Sequence, residues 1–534
     1  MFRKMAAVYI AIMIALSGLV LRLRHLSADP GLLSTAAQTQ ARLTLNAGQG
    51  RGQIYDRYFR KLVNCEEKWV CVVNPTPRAV KTMLEHIGPD DKEAFLKMSD
   101  SAKPFIYDCG KEVNGEDIIS VKVFDRYGES QLAPQLIGYV DSDRTGVAGI
   151  EKAFDDWLRP VGPQVRIHYQ VNALGNALSG IEPTIDDSGQ DSAKGVWLTI
   201  DRNIQKIAEE AAEKYIEKGA VVIMEVNSGN VVACVSKPDF SPLKVAQSLG
   251  DGDSPMLNRA FCAYDLGSLF KLVTAAAALE SGITEKYQYS CKGEITVGER
   301  HFACSNRSGH GRMDMTAAMK KSCNPYFINL GQCIGGQSIY DMAVKLGFGS
   351  RIYFADTLIS SSGNLPEKSS LTGAATANFS FGQGELLATP VQVCAMVNAI
   401  ASDGEYYAPM IINGRVDDNK KAAERNKSDG VRVMSTDTAQ SIQQMMREVL
   451  EEDGTGNEAR SDIVTAAGKT ATAQTGMIKD GKRVEHSWFG GFFPYLLPKY
   501  SVVVFCEDTS DGRATAQPVF RYISEAMTEN AENY

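Results

Sequence analysis

The hydrophobic pattern of the chain begins with an uninterrupted apolar segment. Positions 5–21 are uncharged and mostly apolar, with Arg3 and Lys4 before them and Arg22 and Arg24 after them. A helix needs about 20 such residues to cross the hydrocarbon layer, and flanking arginines can extend a short segment by snorkelling. The pattern therefore predicts a transmembrane signal-anchor at 5–21, with a cytoplasmic head at 1–4 and the body outside the cytoplasm. A cleaved signal peptide and a buried core helix are the alternatives.

After the anchor, the pattern divides into two regions. Positions 22–180 alternate short strands with short helices, which predicts a small mixed module. Positions 181–194 are rich in Asp, Ser and Gly and predict a linker. From 195 to 527 the apolar segments are denser, which predicts the main domain, and 528–534 form a tail.

The main domain has strand patterns at both ends and helix patterns in the middle. A turn at Asn227-Ser228-Gly229-Asn230 separates two apolar segments and predicts a hairpin. Apolar helices are predicted from Ser268 and from Pro390, where proline suits the first helical position. We expect an α+β domain with one sheet assembled from both ends and covered by helices. The predicted sheet strands are 220–226, 231–236, 468–475, 487–493 and 500–506.

Composition excludes several classes of protein. A length of 534 residues is enough for two to four domains. The 44% hydrophobic and 22% charged content excludes global disorder, and the mean hydropathy of −0.18 excludes a polytopic membrane protein. The net charge of −8 offers no basic excess for phosphates, so no nucleic-acid partner is expected.

The cysteines and histidines give no clear framework. Eleven cysteines, an odd number, do not imply a full set of disulfides. Cys291 and Cys304 flank a turn-rich segment, and outside the cytoplasm they could form either a disulfide or two unpaired thiols. The six histidines are scattered, and His310 has no partner at ligand spacing in the sequence, so no metal site and no cofactor are predicted.

Candidate chemistry starts with Ser268 and Lys271. Residues three apart on a helix share one face, and a lysine with a lowered pKa can accept a serine proton. The N–H of Ser268 lies at the predicted helix N-terminus, where an oxyanion could be held. An N-cap serine followed by a surface lysine explains the same pattern. Ser241 and Lys244 share the spacing but follow a Ser-Pro turn, and we interpret them as a chance match.

Two further motifs lie downstream. In Ser322-Cys323-Asn324, Ser322 could relay a proton and Asn324 could bond a substrate amide. Lys469-Thr470-Ala471-Thr472 lies on a predicted strand and offers a cation and a hydroxyl, which suit a substrate carboxylate. Alone, the first motif is explained as a polar helix end and the second as an exposed strand lysine.

In this order, on helix, helix and strand, the three motifs resemble the Ser-x-x-Lys, Ser-x-Asn and Lys-Thr-Gly series of penicillin-binding proteins and serine β-lactamases. The flanking sequence resembles the class B penicillin-binding proteins, which are single-pass D,D-transpeptidases. The segments that carry this resemblance are Arg51-Gly52-Gln53-Ile54-Tyr55-Asp56-Arg57, Gly149-Ile150-Glu151, Leu198-Thr199-Ile200-Asp201 with Gln205, Asn258-Arg259-Ala260, Gly382-Gln383-Gly384, Thr389-Pro390 and Trp488-Phe489-Gly490.

The resemblance implies a fold and a reaction. The fold is a serine β-lactamase/transpeptidase-like domain at 195–527, with a central, mostly antiparallel sheet and an all-helical subdomain. A pedestal or dimerisation-like module at 22–180 precedes it. The reaction is peptidoglycan D,D-transpeptidation, with Ser268 as the nucleophile and Lys271, Ser322 and Lys469 moving protons.

The same resemblance implies the substrate contacts and partners. The backbone N–H groups of Ser268 and Thr472 hold the oxyanion, while Asn324, Thr470, Ala471 and Thr472 contact the substrate. The expected partners are stem peptides, lipid-linked glycan strands, a SEDS-family membrane glycosyltransferase, and β-lactams as covalent inhibitors. No metal or cofactor is implied.

Three departures from the family pattern qualify this expectation. Leu266 replaces the Pro before Gly-Ser, Leu269 replaces the Thr after the nucleophile, and Ala471 replaces the Gly of Lys-Thr-Gly. Strand alternation places Ala471 on the face of Lys469. Its methyl is therefore expected to crowd the site and slow acylation by roughly one to two orders of magnitude, unless its neighbours accommodate it.

Other functions remain open at this stage. One is a β-lactamase-like hydrolase. Another is a catalytically weakened or inactive scaffold for a cell-wall glycosyltransferase, which Ala471 favours. A third is a membrane-bound β-lactam sensor.

Overall fold

The computed structural model describes residues 2–28, 41–159, 162–419, 421–422, 426–479, 481–509 and 515–531. The α-helices are α1 (Phe2–Ala28), α2 (Pro77–His86), α3 (Lys92–Ser99), α4 (Pro134–Ile137), α5 (Gly149–Ala153), α6 (Asp155–Leu158), α7 (Arg202–Tyr215), α8 (Val245–Ser248), α9 (Lys271–Glu280), α10 (Met315–Lys320), α11 (Asn324–Ile334), α12 (Gly336–Lys345), α13 (Gly373–Ser380), α14 (Pro390–Ala401), α15 (Thr436–Val449) and α16 (Ala516–Ala531). Short 3-10 turns lie at Pro89–Asp91, Ser188–Asp191, Arg259–Phe261, Gly267–Phe270, Lys368–Ser370 and Asn457–Ala459.

The strands are β1 (Arg42–Gln49), β2 (Gln53–Tyr55), β3 (Glu66–Val73), β4 (Phe105–Asp108), β5 (Ile118–Asp125), β6 (Pro163–Gln170), β7 (Thr184–Asp186), β8 (Gly195–Leu198), β9 (Gly219–Glu225), β10 (Val231–Lys237), β11 (Tyr264–Asp265), β12 (Tyr289–Cys291), β13 (Glu294–Val297), β14 (Arg300–Ala303), β15 (Gly311–Met313), β16 (Tyr353–Ala355), β17 (Leu358–Ile359), β18 (Leu387–Ala388), β19 (Glu405–Tyr406), β20 (Ile412–Val416), β21 (Val431–Arg432), β22 (Ala467–Lys479), β23 (Lys482–Phe493) and β24 (Tyr500–Cys506).

Helix α1 contains the predicted anchor. Its segment Lys4–His25 is long and apolar enough to cross a membrane, with a mean hydropathy of 2.2 over its most apolar window. The helix extends beyond 5–21 at both ends, because the flanking arginines continue the same helical backbone.

The chain divides into two compact units, and the first is discontinuous in sequence. It comprises Met1–Arg51, Glu66–Arg126 and Pro160–Ser192. One three-stranded sheet has the order β1-β6-β7 and another the order β4-β3-β5. A disulfide joins Cys71 on β3 to Cys109, just after β4.

The second unit comprises Gly52–Cys65, Tyr127–Arg159 and Ala193–Tyr534. Its main sheet is antiparallel throughout and has the order β10-β9-β24-β23-β22, so strands from both ends of the unit meet in one sheet, as the sequence predicts. Strand β22 is the edge of this sheet. The late hairpin β22–β23 is longer than predicted because its polar tip carries no apolar signal but still pairs.

Helices surround this sheet and form a separate helical region. Helix α14 packs on β9, β23 and β24, while α7 and α16 pack against each other and on the sheet. In the helical region, the apolar helix α9 contacts α11, α12 and α15. Thr389 caps α14 in a capping box with Gln392, and Pro390 is at its start as predicted.

The unit boundaries differ from the continuous division at 22–180 and 195–527. Segment 52–65 belongs to the second unit because strand β2 pairs in parallel with β8, with Gln53 opposite Gly195. Segment 127–159 also belongs to it, and Nε1 of Trp157 donates to the carbonyl oxygen of Gly195 at 2.8 Å. A short strand whose partner lies far along the chain gives no local signal of its domain.

Candidate active site

The nucleophile candidate Ser268 lies in a tight turn. It occupies the 3-10 turn Gly267–Phe270, immediately before α9, with Leu269 and Phe270 buried beneath it. Gly267 has a φ of +66°, and a Cβ there would lie 2.9 Å from the carbonyl oxygen of Thr472. This glycine therefore allows the turn to approach the edge strand β22 closely, which brings the backbone of Ser268 near Thr472.

A second glycine holds the other side of this turn. The N–H of Gly267 donates to the carbonyl oxygen of Gly382 at 3.0 Å, and a Cβ on Gly382 would lie 1.9 Å from the carbonyl oxygen of Gly267. The Gly-Gln-Gly motif thus acts structurally, because only glycine fits beside the nucleophile turn.

Lys271 is completely buried behind Ser268. Its Nζ donates to the carbonyl oxygen of Ser322 at 2.7 Å, to the hydroxyl of Ser322 at 3.1 Å, and to Oδ1 of Asn324 at 2.7 Å. These bonds use all three donors of an ammonium group, and among the described residues Ser268 is not a hydrogen-bond partner of Lys271. Burial lowers the pKa of Lys271 to about 7. A substantial fraction of the amine is therefore neutral near neutral pH and able to accept a proton.

Ser322 connects two lysines. Its hydroxyl accepts a hydrogen bond from Lys271 at 3.1 Å and another from Nζ of Lys469 at 3.1 Å. Lys469, on β22, is also completely buried, and its pKa is held well below the ordinary lysine value by burial and by the charge of Lys271. The alternative explanation of Lys469 as an exposed strand lysine is therefore excluded.

The two amines cannot both be charged without a large penalty. Because each lies 3.1 Å from the same oxygen, they are at most about 6 Å apart, which corresponds to roughly 3 kcal/mol of repulsion at an effective dielectric constant of 20. One neutral and one charged amine bridged by a hydroxyl is an arrangement that can carry a proton from one to the other.

The backbone at Ser322 is unusual. Its φ of +51° is in the left-handed region, which costs a non-glycine residue roughly 1–2 kcal/mol. Asn324 follows as the first residue of α11, and its Nδ2 donates to the carbonyl oxygen of Ala303 at 3.4 Å. The sharp turn allows the Ser322 hydroxyl and the Asn324 amide oxygen to accept hydrogen bonds from the same amine, that of Lys271.

The remaining residues of the third motif alternate along β22 as predicted. Lys469 and Ala471 are buried, Thr470 is half-buried and Thr472 is exposed. The hydroxyl of Thr470 donates to that of Thr455 at 3.1 Å. Ala471 is 4% exposed and belongs to the large apolar cluster of this unit, opposite Trp488 on β23. Its methyl thus packs among apolar neighbours, which favours accommodation over crowding.

The second Ser-x-x-Lys sequence is not part of this arrangement. Ser241 and Lys244 lie in a surface turn before the four-residue helix α8, and the N–H of Lys244 donates to the carbonyl oxygen of Ser241. No hydrogen bond described for Ser241 or Lys244 involves a residue of the other two motifs, which agrees with the interpretation as a chance match.

Several family-like segments have structural roles within the second unit. The buried Asp56 accepts the N–H of Tyr58 at 2.9 Å, the N–H of Arg60 at 2.8 Å and the Nε of Arg60 at 2.6 Å. Arg60 also contacts Asp201, 3.0 Å away. Another ion pair joins the buried Arg259 to the half-buried Glu507 at 2.6 Å. These residues fix loops and do not reach the motif residues.

One sequence-based expectation is wrong. His310 does have a ligand-type partner, because its Nδ1 lies 3.3 Å from the sulfur of Cys304. Cys291 and Cys323 complete a cluster with these two residues, and all four side chains offer donor atoms within 4.8 Å of one another. Cys291 and Cys304 are free thiols in the structure, not a disulfide. The pairing of short strands brings the four residues together, which spacing alone did not show.

Comparison with known proteins identifies the family. The family described as "Penicillin binding protein transpeptidase domain" matches residues 219–525. The chain is 28% identical over 432 residues to the stage V sporulation protein D of Bacillus subtilis, covering 77% of this chain and 65% of that protein. It is 25% identical over 471 residues to the peptidoglycan D,D-transpeptidase FtsI of Escherichia coli, covering 86% of this chain and 76% of that one.

A solved structure shows the same fold. Penicillin binding protein 3 of Mycobacterium tuberculosis, complexed with ampicillin, superposes with a TM-score of 0.66 at 24% identity, over 92% of this chain and 96% of that one. The expected transpeptidase-like fold is confirmed.

Proposed function

This chain belongs to the class B penicillin-binding proteins, within the penicillin-binding protein transpeptidase family, and we propose that it cross-links peptidoglycan stem peptides through an acyl-enzyme on Ser268. The observation that carries the proposal is the Ser322 hydroxyl held between two fully buried lysine amines from different elements. Burying two amines is costly, and a purely structural role gives no reason for it.

Acylation starts at Ser268. The neutral Lys271 amine accepts the hydroxyl proton while Ser268 Oγ attacks the carbonyl carbon between the two terminal D-alanines. The backbone N–H groups of Ser268 and Thr472 bind the oxyanion that forms. The close approach of Gly267 to the Thr472 backbone supports this pairing of donors.

Collapse of the tetrahedral intermediate breaks the peptide bond. The leaving D-alanine amine takes a proton from the Lys271–Ser322–Lys469 series, and its carboxylate is bound by Lys469 and Thr470. Asn324 orients the stem-peptide backbone. The amine of a second stem then attacks the ester, which forms the cross-link and returns the proton to Ser268. A β-lactam enters the first step in place of the D-alanyl-D-alanine end and remains as a stable ester. The chemistry requires no metal at Ser268.

The location of the reaction is part of the proposal. Helix α1 anchors the chain in the cell membrane, and the catalytic unit lies on the extracytoplasmic side, where stem peptides are cross-linked. The Cys71–Cys109 disulfide supports this side, because such bonds persist in oxidising compartments. A SEDS-family membrane glycosyltransferase is the proposed partner that supplies glycan strands.

Complementation of a strain depleted of its own protein separates an enzyme from a scaffold. The Ser268→Ala variant should fail to restore growth or sporulation although it is present at wild-type level in the membrane. The matched control Ser241→Ala should restore it fully. Restoration by Ser268→Ala would instead support the scaffold function, and rapid turnover of nitrocefin would support the hydrolase.

A further inference from the structure

A compact cluster of sulfur and imidazole side chains lies next to the proposed active site. Cys291 is the last residue of β12, Cys304 follows β14, His310 precedes β15, and Cys323 precedes α11. Sγ of Cys304 lies 4.0 Å from Sγ of Cys323 and 3.3 Å from Nδ1 of His310. All four donor atoms are within 4.8 Å of one another.

These separations match a tetrahedral metal site. With metal–sulfur and metal–nitrogen bonds of about 2.3 and 2.05 Å, tetrahedral geometry places two sulfurs about 3.8 Å apart and a sulfur and a nitrogen about 3.6 Å apart. Thiolate and imidazole ligands in a Cys3His set favour zinc among the common biological cations. The geometry points to a zinc ion bound by Cys291, Cys304, His310 and Cys323.

The three sulfur atoms lie in the interior of the protein. All three cysteine side chains are at most 2% exposed, so a bound ion is shielded from solvent and competing ligands.

A disulfide is the main competing explanation for these cysteines. Three thiols around one imidazole would leave one sulfur unpaired after a disulfide formed. The structure joins Cys71 to Cys109 and leaves Cys291, Cys304 and Cys323 as separate thiols. A disulfide would not account for the position of the His310 imidazole, whose Nδ1 lies 3.3 Å from the Cys304 sulfur.

Glycines allow the ligand loops to close. A Cβ on Gly293 would lie 2.1 Å from the carbonyl oxygen of Arg307, and one on Gly309 would lie 2.4 Å from the carbonyl oxygen of Cys291. Both glycines have positive φ angles, of +95° and +83°. The loop after Cys291 and the loop before His310 therefore pack backbone against backbone, which draws the ligands together.

The hairpin above the cluster needs a link of this kind. Among the described strands, β13 and β14 pair only with each other, and none of their residues is buried. A small element without an apolar core is commonly held by a metal or a disulfide. The zinc joins the base of this hairpin to β12, β15 and the start of α11.

The zinc site also affects the proposed reaction, because it holds the Ser322–Asn324 motif in place. Cys323 is the middle residue of the Ser322–Asn324 motif, whose flanking side chains hold the Lys271 amine. Ser322 has the strained φ of +51°, and an ion bound to its neighbour fixes that turn. With four protein ligands no coordination position is open to substrate, so the zinc positions the motif and takes no chemical step.

Metal content of the full-length chain, purified in detergent without added metal, tests the site directly. Elemental analysis should find about one zinc per chain, and cobalt substitution should give the thiolate charge-transfer and intense visible bands of a tetrahedral site. Cys291→Ser, Cys304→Ser, Cys323→Ser and His310→Ala should each lose zinc to a chelator faster than wild type. The control Cys333→Ser, which removes an exposed thiol on α11, should retain it.

Two results would overturn the site. One is wild-type protein without stoichiometric zinc that also gives no tetrahedral cobalt spectrum. The other is a disulfide between any two of Cys291, Cys304 and Cys323, found by non-reducing peptide mapping. Both are read on wild-type protein, so misfolding of a variant does not affect them.

The acylation rate of metal-free protein tests whether the zinc positions the Ser322–Asn324 motif. Removal of the metal with a strong chelator, in the presence of reductant, should lower the melting temperature and slow acylation by roughly 10- to 100-fold, with recovery on zinc addition. Reductant alone controls for loss of the Cys71–Cys109 disulfide. Unchanged acylation by metal-free protein would contradict the positioning role. The Ser268→Ala variant should keep its zinc, so failure of the proposed reaction and failure of the metal site are distinguishable.

Discussion

Replacement of Ser322 by alanine and by glycine separates the chemistry of its hydroxyl from the strain of its backbone. Both changes remove the oxygen that bridges Lys271 and Lys469. Positioned proton transfer contributes roughly 10²- to 10⁴-fold, so both variants should lose acylation by a factor in that range. Because both lack the same group, their acylation rates should agree within about threefold.

The two variants should differ in stability. Ser322 has a φ of +51°, and alanine keeps the resulting strain of about 1–2 kcal/mol. Glycine removes the strain but adds about 0.4–1 kcal/mol of unfolded-state entropy. Ser322→Gly should therefore be more stable than Ser322→Ala by roughly 0.5–1 kcal/mol, although both are less stable than wild type through the lost hydrogen bonds.

Second-order acylation constants with a fluorescent penicillin and urea unfolding curves measure both effects. If Ser322→Ala acylates within threefold of wild type, Ser322 is not the proton relay. If the alanine variant is at least as stable as the glycine variant, the backbone at this position is not strained.

Three further predictions concern other parts of the site and its unit. Ala471→Gly should lower stability by about 1.5 kcal/mol, because a buried methyl is lost and glycine is added to a strand, and it should leave the acylation constant within threefold; a rise of tenfold or more would show that the methyl crowds the nucleophile. Acylation should rise with pH through about 7, since burial lowers the pKa of Lys271 to about 7 and only the neutral amine, which predominates above that pH, accepts the Ser268 proton; a rise centred near the ordinary lysine value of about 10.4 would contradict this assignment. Asp56→Asn should lower the free energy of unfolding by about 2 kcal/mol, because the buried carboxylate accepts hydrogen bonds from the backbone and guanidinium of Arg60; a loss below about 0.5 kcal/mol in urea unfolding would exclude a structural role for this ion pair.

The central sheet and the site motifs could be predicted because their signals are local. The alternation of Lys469, Ala471 and their neighbours along β22 follows from strand geometry, and the burial of the first two agrees with it. An apolar segment predicts a helix from Ser268, and the structure has a 3-10 turn at Gly267–Phe270 and begins α9 at Lys271. Both predictions use only the apolar and polar pattern of residues that are close together in the sequence.

The features that the sequence did not predict depend on distant pairing. The Cys71–Cys109 disulfide requires β3 to lie beside β4, with Cys71 opposite Tyr107. The Cys291 cluster requires β12 to pair with β15 and the start of α11 to lie beside them, so His310 has no visible partner in the sequence. Strand alternation predicts on which face of the sheet the Ala471 methyl lies. It does not predict the neighbours of the methyl, which depend on the pairing of β22 with β23.

Intact-mass measurement of the protein with a labelled penicillin, followed by peptide mapping, tests whether Ser268 is the nucleophile. We expect one stable covalent adduct per chain, located on Ser268 and absent from the Ser268→Ala variant. The Ser268→Ala variant should have the same zinc content and the same fold as the wild-type protein. An adduct on Ser241, or no adduct on wild-type protein at high drug concentration, would contradict the assignment of Ser268 as the nucleophile.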